Sequence, residues 1–201
     1  MKRKLVLAIL LILIFALSAM VAYGSTPADH LRVNGIDISP FNGEIDWDKA
    51  KADGVEFAFI RIGGQYYGEK GGHYFDDSLK ANYDGAKSSD IIVGGYFFSQ
   101  AITVEEAIKE AEESHNHIIE NGINPSDFEL PFFIDRELKA DDDGPGRLKA
   151  ANLSVEQELE IELAFCNRLR ELGYESGLYS YLNFLNNNTD STVLSNLGYP
   201  I

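Results

Sequence analysis

Residues 130–146 read LPFFIDRELKADDDGPG, and the fold turns on how that stretch is taken. An apolar, strand-forming run ends in Asp135-Arg136-Glu137, and a loop crowded with carboxylates and glycine follows. Side chains two residues apart in a strand share a face, so Phe133, Asp135 and Glu137 point one way and Arg136 the other. Strands commonly end in polar residues; paired carboxylates at a strand's end also perform chemistry. A bare D-x-E pattern arises often by chance, so its surroundings must decide.

Working outward, RVNGIDIS (32–39), VEFAFIRIG (55–63), DIIVGGYFFS (90–99) and ESGLYSY (175–181) are further strand candidates. Their apolar character on both faces fits a parallel sheet covered by helices. Helix signals fall between them. Asp46 opens a short helix to about Ala52, and residues 76–87 hold another. Thr103-x-x-Glu106 and Ser154-x-x-Gln157 are capping boxes, with their helices stopping at Asn121-Gly122 and Leu172-Gly173. This alternation predicts an α/β fold, either a (β/α) barrel or a doubly wound sheet. In a barrel, the carboxyl ends of the strands carry the active site. Asp37 on the first strand, Tyr96 and Phe98 on the third, Asp135 and Glu137 on the fourth and Tyr179 on the fifth would then line one mouth.

The chain has 201 residues, with 17 Lys and Arg against 32 Asp and Glu and a net charge of −15. Three of the basic residues, Lys2, Arg3 and Lys4, precede an apolar run to Gly24, so the rest is more acidic still. That balance argues against nucleic acid or an anionic membrane surface as a partner. Residues 1–24 read as a signal peptide or an uncleaved N-terminal anchor, with residues 5–24 as the possible membrane segment and 25–34 as a short lead-in. Either way the chain is expected to be exported, secreted or held at the outer face of the cytoplasmic membrane. Cys166 is alone and can form no intramolecular disulfide.

Several segments in order resemble the glycoside hydrolase family 25 lysozymes, the Chalaropsis-type muramidases. They are GIDISPFNGEIDW (35–47), FAFIRIGGQYYGEKGGHYFDDSLKANYDGAK (57–87), VGGYFFSQAITVEEAIKEAE (93–112), LPFFIDRE (130–137) and AFCNRLRELGYESGLYSYLNFL (164–185). The resemblance implies an irregular, flattened (β/α) TIM-like barrel over 35–201 that hydrolyses the β-1,4 bond between N-acetylmuramic acid and N-acetylglucosamine in peptidoglycan. It implies Glu137 as general acid, Asp135 as the partner that positions the substrate's 2-acetamido group, and Asp37 completing the acidic floor. Tyr96 and Tyr179 would line the sugar site, and no cofactor or metal is required. The family has strands beyond the fifth and another acidic residue on the last. SNLGYPI reads as the start of a sixth strand, so the barrel is expected to be incomplete at its C-terminal side. A monomer acting on peptidoglycan glycan strands is expected; a non-catalytic glycan-binding module on the same barrel is the alternative.

Other residues have plainer readings. Arg61 is an ion-pair partner of the acidic floor or a substrate contact, and Phe98 is barrel filling before it is a sugar platform. Trp47 is expected to staple the first helix to the barrel, and Cys166 to lie in the core on the Leu159–Leu163–Cys166–Leu169 stripe. Asp141–Asp143 form a solvated turn, with calcium as the lesser reading. His115 and His117, two apart on a helix, cannot share a ligand face. Arg136 is expected to point outward, its stem on apolar surface and its head in water.

Overall fold

The structure is a computed structural model that describes residues 33–141 and 144–201. The signal-or-anchor segment at 1–24, most of the lead-in and Asp142–Asp143 lie outside the described residues. The elements run β1 (Gly35–Ile38), α1 (Trp47–Ala52), β2 (Phe57–Gln65), β3 (His73–Phe75), α2 (Leu79–Ser88) and β4 (Ile92–Ser99). Next come α3 (Val104–Glu120), β5 (Phe132–Arg136), the short pair β6 (Ala140–Asp141) and β7 (Gly144–Pro145), and α4 (Arg147–Ala151). The chain continues through α5 (Val155–Glu171), β8 (Ser176–Tyr179), α6 (Leu182–Asn187) and α7 (Ser191–Asn196).

The strands line up β1-β2-β4-β5-β8, every neighbouring pair parallel, with β3 antiparallel to the end of β2. The sheet does not close among the described residues, so the α/β fold is an open, irregular barrel wall. Helix starts are set by the expected caps: Asp46 accepts from Lys49 N, Thr103 from Glu106 N and Ser154 from Gln157 N.

Each strand buries one alternating set under the helices. Ala58, Ile60 and Ile62 of β2, Val93 and Phe97 of β4, and Phe132 and Ile134 of β5 are fully buried there. From the helices Ala107, Ala111, Ile118, Ile161, Phe165, Cys166 and Leu169 close the layer. Cys166 is therefore core, and burial pushes its thiol up to about 12. Trp47 is buried against α2, where a Cβ on Gly85 would stand 2.2 Å from its ring.

The opposite set forms a concave face. There the register puts glycine beside phenylalanine: Gly35 pairs with Phe57, Gly94 with Phe59 and Gly177 with Phe133. A Cβ would meet those rings at 2.1, 2.2 and 2.9 Å respectively, so the small residue leaves room for each ring; at Gly177 the backbone O of Pro200 stands closer still, at 2.2 Å.

Arg136 departs from expectation. Its side chain is 0% exposed and enters the helix layer, where Nε and Nη2 reach Glu158 of α5 at 2.5 and 2.9 Å. The outer face of β5 is roofed by α5 and α3, so an outward side chain meets protein rather than water. Two more carboxyls share that layer. Glu110 of α3 accepts from Ser99 Oγ, and Glu162 of α5 from Thr189. Desolvation raises both to about 8, so both hold a proton at neutral pH.

At the C-terminal side, SNLGYPI is not a regular strand. Its Ser-Asn finishes α7, Gly198 turns the chain at φ +79°, and Pro200 O then accepts from Leu178 N of β8. Strand β8 is also shorter than expected, because Tyr181 has left it to precede α6. The β6–β7 pair occupies the loop expected to be a simple turn.

Two outcomes follow from this packing. Gly94→Ala should lower unfolding free energy by roughly 1–3 kcal/mol in urea titration, since the new methyl overlaps Phe59 and Pro131 O. Gly68→Ala, with nothing within 4 Å, should stay within about 0.5 kcal/mol. For pH, Glu110 and Glu162 bind their protons more tightly folded than unfolded, so stability falls as pH rises from about 4.5 through about 8. Melting temperature measured from pH 5 to 9 should drop accordingly, and Glu110→Gln should flatten the slope.

Candidate active site

Two confluent cavities lie at the carboxyl ends of the parallel strands, and they share Tyr96, Asp135 and Glu137. One of about 490 Å³ is floored by Phe57, Phe59 and Phe133 and walled by Asp37, Asp135, Glu137, Tyr96 and Tyr179. The other, about 740 Å³, runs past Phe41, Arg61, Tyr66, Tyr74, Phe98 and Lys139. The three acids expected on one mouth are brought together, with the two tyrosines beside them.

The register explains the gathering. Asp135 stands opposite Phe98 on one side and Tyr179 on the other, one step above the row Arg61–Tyr96–Phe133–Gly177. Asp37 comes in from β1, opposite Phe59. Tyr179 is about half exposed, a ring at the rim rather than in the floor.

The two acids of β5 differ in surroundings. Asp135 is 6% exposed, and its Oδ1 is buried without a hydrogen-bond partner. Desolvation first, then the charges of Glu137 and Asp37, push it up to about 8, against the opposing pull of Lys139 and Arg136. It therefore carries a proton at neutral pH. Glu137 is more open and forms an ion pair with Lys139, whose ammonium also lies 5.8 Å from the Phe98 ring centre. Tyr96 is raised well above the usual phenol range, chiefly by burial, so it acts as a neutral hydroxyl.

Arg61 is an ion-pair residue, but its partner is Asp76 rather than the acidic floor: Nε and Nη2 reach the Asp76 carboxylate at 2.7 and 3.1 Å. It packs between Phe41 and Tyr74, 5.1 and 5.3 Å from their centres, so it braces the aromatic wall of the second cavity. Phe98 lines that same cavity beneath Lys139 instead of filling a closed barrel.

Sequence reasoning missed Lys139, Phe41, Tyr66 and Tyr74. For Lys139 the signal was present: the two-residue alternation linking 135 to 137 continues to 139. Phe41 sits in a one-turn 3-10 helix capped by Ser39 just after β1, and Tyr74 arrives on β3. A register shift between Arg61 and Gly63 and the side-chain-free Gly63-Gly64 admit that third strand. Among the described residues no group of three His, Cys, Asp or Glu could hold a metal ion, and no helix is long and apolar enough to cross a membrane.

Comparison with known proteins fits this geometry. Over 161 residues the chain is 28% identical to the autolytic lysozyme of Clostridium acetobutylicum, covering 80% of this chain and 42% of that protein. A bacterial lysozyme structure from Streptomyces coelicolor aligns with TM-score 0.57 at 25% identity, covering 79% of this chain and 67% of that one. The autolysin LytC of Streptococcus pneumoniae, solved in complex with a synthetic peptidoglycan ligand, aligns with TM-score 0.62 at 22% identity over 76% of this chain and 33% of its own. The chain spans less than half the length of the curated relatives it matches. The family model for Glycosyl hydrolases family 25 matches residues 36–199, and the chain belongs to that family.

Proposed function

We propose that this chain carries the catalytic domain of an exported peptidoglycan hydrolase that cleaves the β-1,4 bond between N-acetylmuramic acid and N-acetylglucosamine. The observation that carries the reading is the meeting of Asp37, Asp135 and Glu137 with Tyr96 and Tyr179 around one cavity. Glycosidic cleavage needs a proton donor for the leaving oxygen and a second group that stabilises the cationic sugar. The relatives' lysozyme names and the peptidoglycan ligand of LytC support the same substrate class.

In this reading Asp135 holds the resting proton, and the site's acids act as a coupled set. An incoming 2-acetamido N–H donates to Asp135 and favours its carboxylate form, so the displaced proton passes to Glu137. The acetamido oxygen attacks the anomeric carbon as the glycosidic bond breaks, and Glu137 gives its proton to the leaving oxygen. Water, deprotonated by Glu137, then opens the cyclic intermediate with retention. Asp37 contributes negative charge opposite the developing cation. Tyr96 and Tyr179 offer rings and hydroxyls to the sugar, and Phe41, Tyr66 and Tyr74 extend the aromatic wall. The protein acts as a monomer, exported by residues 1–24 or tethered through residues 5–24.

A glycan-binding module without turnover is the second reading, favoured by the Lys139 ion pair that engages Glu137. Purified protein carrying Glu137→Gln should clear bacterial cell-wall suspensions about 10²–10⁴-fold more slowly than the parent. Equal rates would remove Glu137 from the acid role. Retention of wall glycan by both proteins with turnover by neither would establish the binding module.

A further inference from the structure

Glu137 lies one residue beyond the sheet. The β4–β5 ladder ends at Ser99 opposite Arg136, and the β5–β8 ladder at Asp135 opposite Tyr179. Strand pairing therefore does not fix where Glu137 points. What holds the chain there is a set of contacts on the side away from the cavity. Arg136 grips Glu158 with two nitrogens, while Nη1 donates to Ser99 Oγ at 3.1 Å and to Ala101 O at 2.9 Å. Ser99 Oγ in turn donates to Glu110 at 2.5 Å. The carbonyls of the strand end are caught too: Ser180 Oγ donates to Arg136 O, and Gln100 Nε2 to Glu137 O at 3.0 Å.

Resting on the hydrolase reading above, we propose that Arg136 is a positioning residue: its buried pair with Glu158, bridged to β4 through Ser99, aims Asp135 and Glu137 into the groove. Stability alone is a poor reason for such a pair. Four ionisable side chains, Arg136, Glu158, Glu110 and Glu162, are all buried in this layer. Replacing a buried ion pair with apolar residues of similar size is often neutral or stabilising, whereas geometry is what a planar guanidinium fork fixes well. The fork spans α5 and the end of β4, so β5 is referenced to both neighbours at the residue between its two acids. A catalytic group displaced by about 1 Å loses on the order of 10²-fold in rate, so a clamp at this place acts on turnover.

The test is the double variant Arg136→Met/Glu158→Leu in the full chain, which removes both charges and keeps the volume. Kinetics on soluble glycan strands from bacterial wall are expected to show kcat reduced about 10- to 100-fold with KM within about twofold, at a melting temperature within about 5 °C of the parent. A folded double variant that keeps kcat within about twofold overturns the proposal, as does a loss confined to KM. Should the double variant not fold, Ser99→Ala decides: a three- to tenfold fall in kcat supports the clamp, and unchanged kcat sinks it. Carboxyl 13C NMR titration of Asp135 reads the same displacement without turnover. The groups that act on Asp135 are Glu137, Lys139, Asp37 and Arg136. Loss of the Arg136 charge by itself would raise the Asp135 midpoint, so the expected fall from about 8 toward the ordinary range reports β5 loosening and water reaching the carboxyl. A parent that cleaves no glycan removes the hydrolase reading, and an Asp135 midpoint that stays at or rises above the parent's in the folded double variant then removes the clamp separately.

Discussion

The molecule depends on a strand that is covered on one side and open on the other. Along β5, Phe132, Ile134 and Arg136 go under α3 and α5, while Phe133, Asp135 and then Glu137 face the groove. Within the strand a period of two leaves no freedom: once the apolar set is committed to the helices, Asp135 must face the cavity, and a slip of one residue would exchange it with Arg136. The cost falls on Arg136, which has to be accommodated among apolar side chains. The protein meets it by supplying Glu158, Ser99 and a backbone carbonyl within reach of one guanidinium.

The same covering divides the ionisable groups into two populations with different tasks. Glu110 and Glu162 are neutral and sealed off from the groove, whereas Asp135 is neutral inside it. Asp135 differs from them in lining a space that a ligand can enter. Glu137, two residues on, remains accessible and holds a cation. Asp135 and Glu137, two residues apart, thus differ in burial and in partners: one is enclosed without a partner on Oδ1, the other is more open and paired with Lys139.

Much of this was legible in the residues themselves. The alternation around Asp135 placed the strand, the caps at Thr103 and Ser154 placed the helices, and the barrel expectation with the family 25 resemblance placed Asp37 beside Asp135 and Glu137. What was not legible depended on partners distant in sequence. Arg136 read as a surface residue because nothing near it in the chain announces Glu158, 22 residues on. Arg61 drew Asp76 rather than the acidic floor because β3, three residues long and admitted by a register shift, carries the loop that presents Asp76. Helix α7 and the turn at Gly198 replaced the expected strand start, since Asp190 caps Thr192 and Val193 and commits Ser191–Asn196 to a helix.

The interlock of Phe57, Phe59 and Phe133 with Gly35, Gly94 and Gly177 has a consequence for how such a sequence can change. Each ring occupies the volume that a side chain on the facing strand would need. Enlarging the glycine alone collides, and shrinking the ring alone opens a hole in the floor. At Gly35 only the Phe57 ring stands in the way, so that pair can drift as a unit, whereas Gly94 and Gly177 are also hemmed in by the backbone oxygens of Pro131 and Pro200 and stay glycine whatever the facing ring becomes. The floor beneath the acids is thereby shielded from gradual substitution, while the aromatic rim at Phe41, Tyr66 and Tyr179, touching solvent, is free to be retuned one residue at a time.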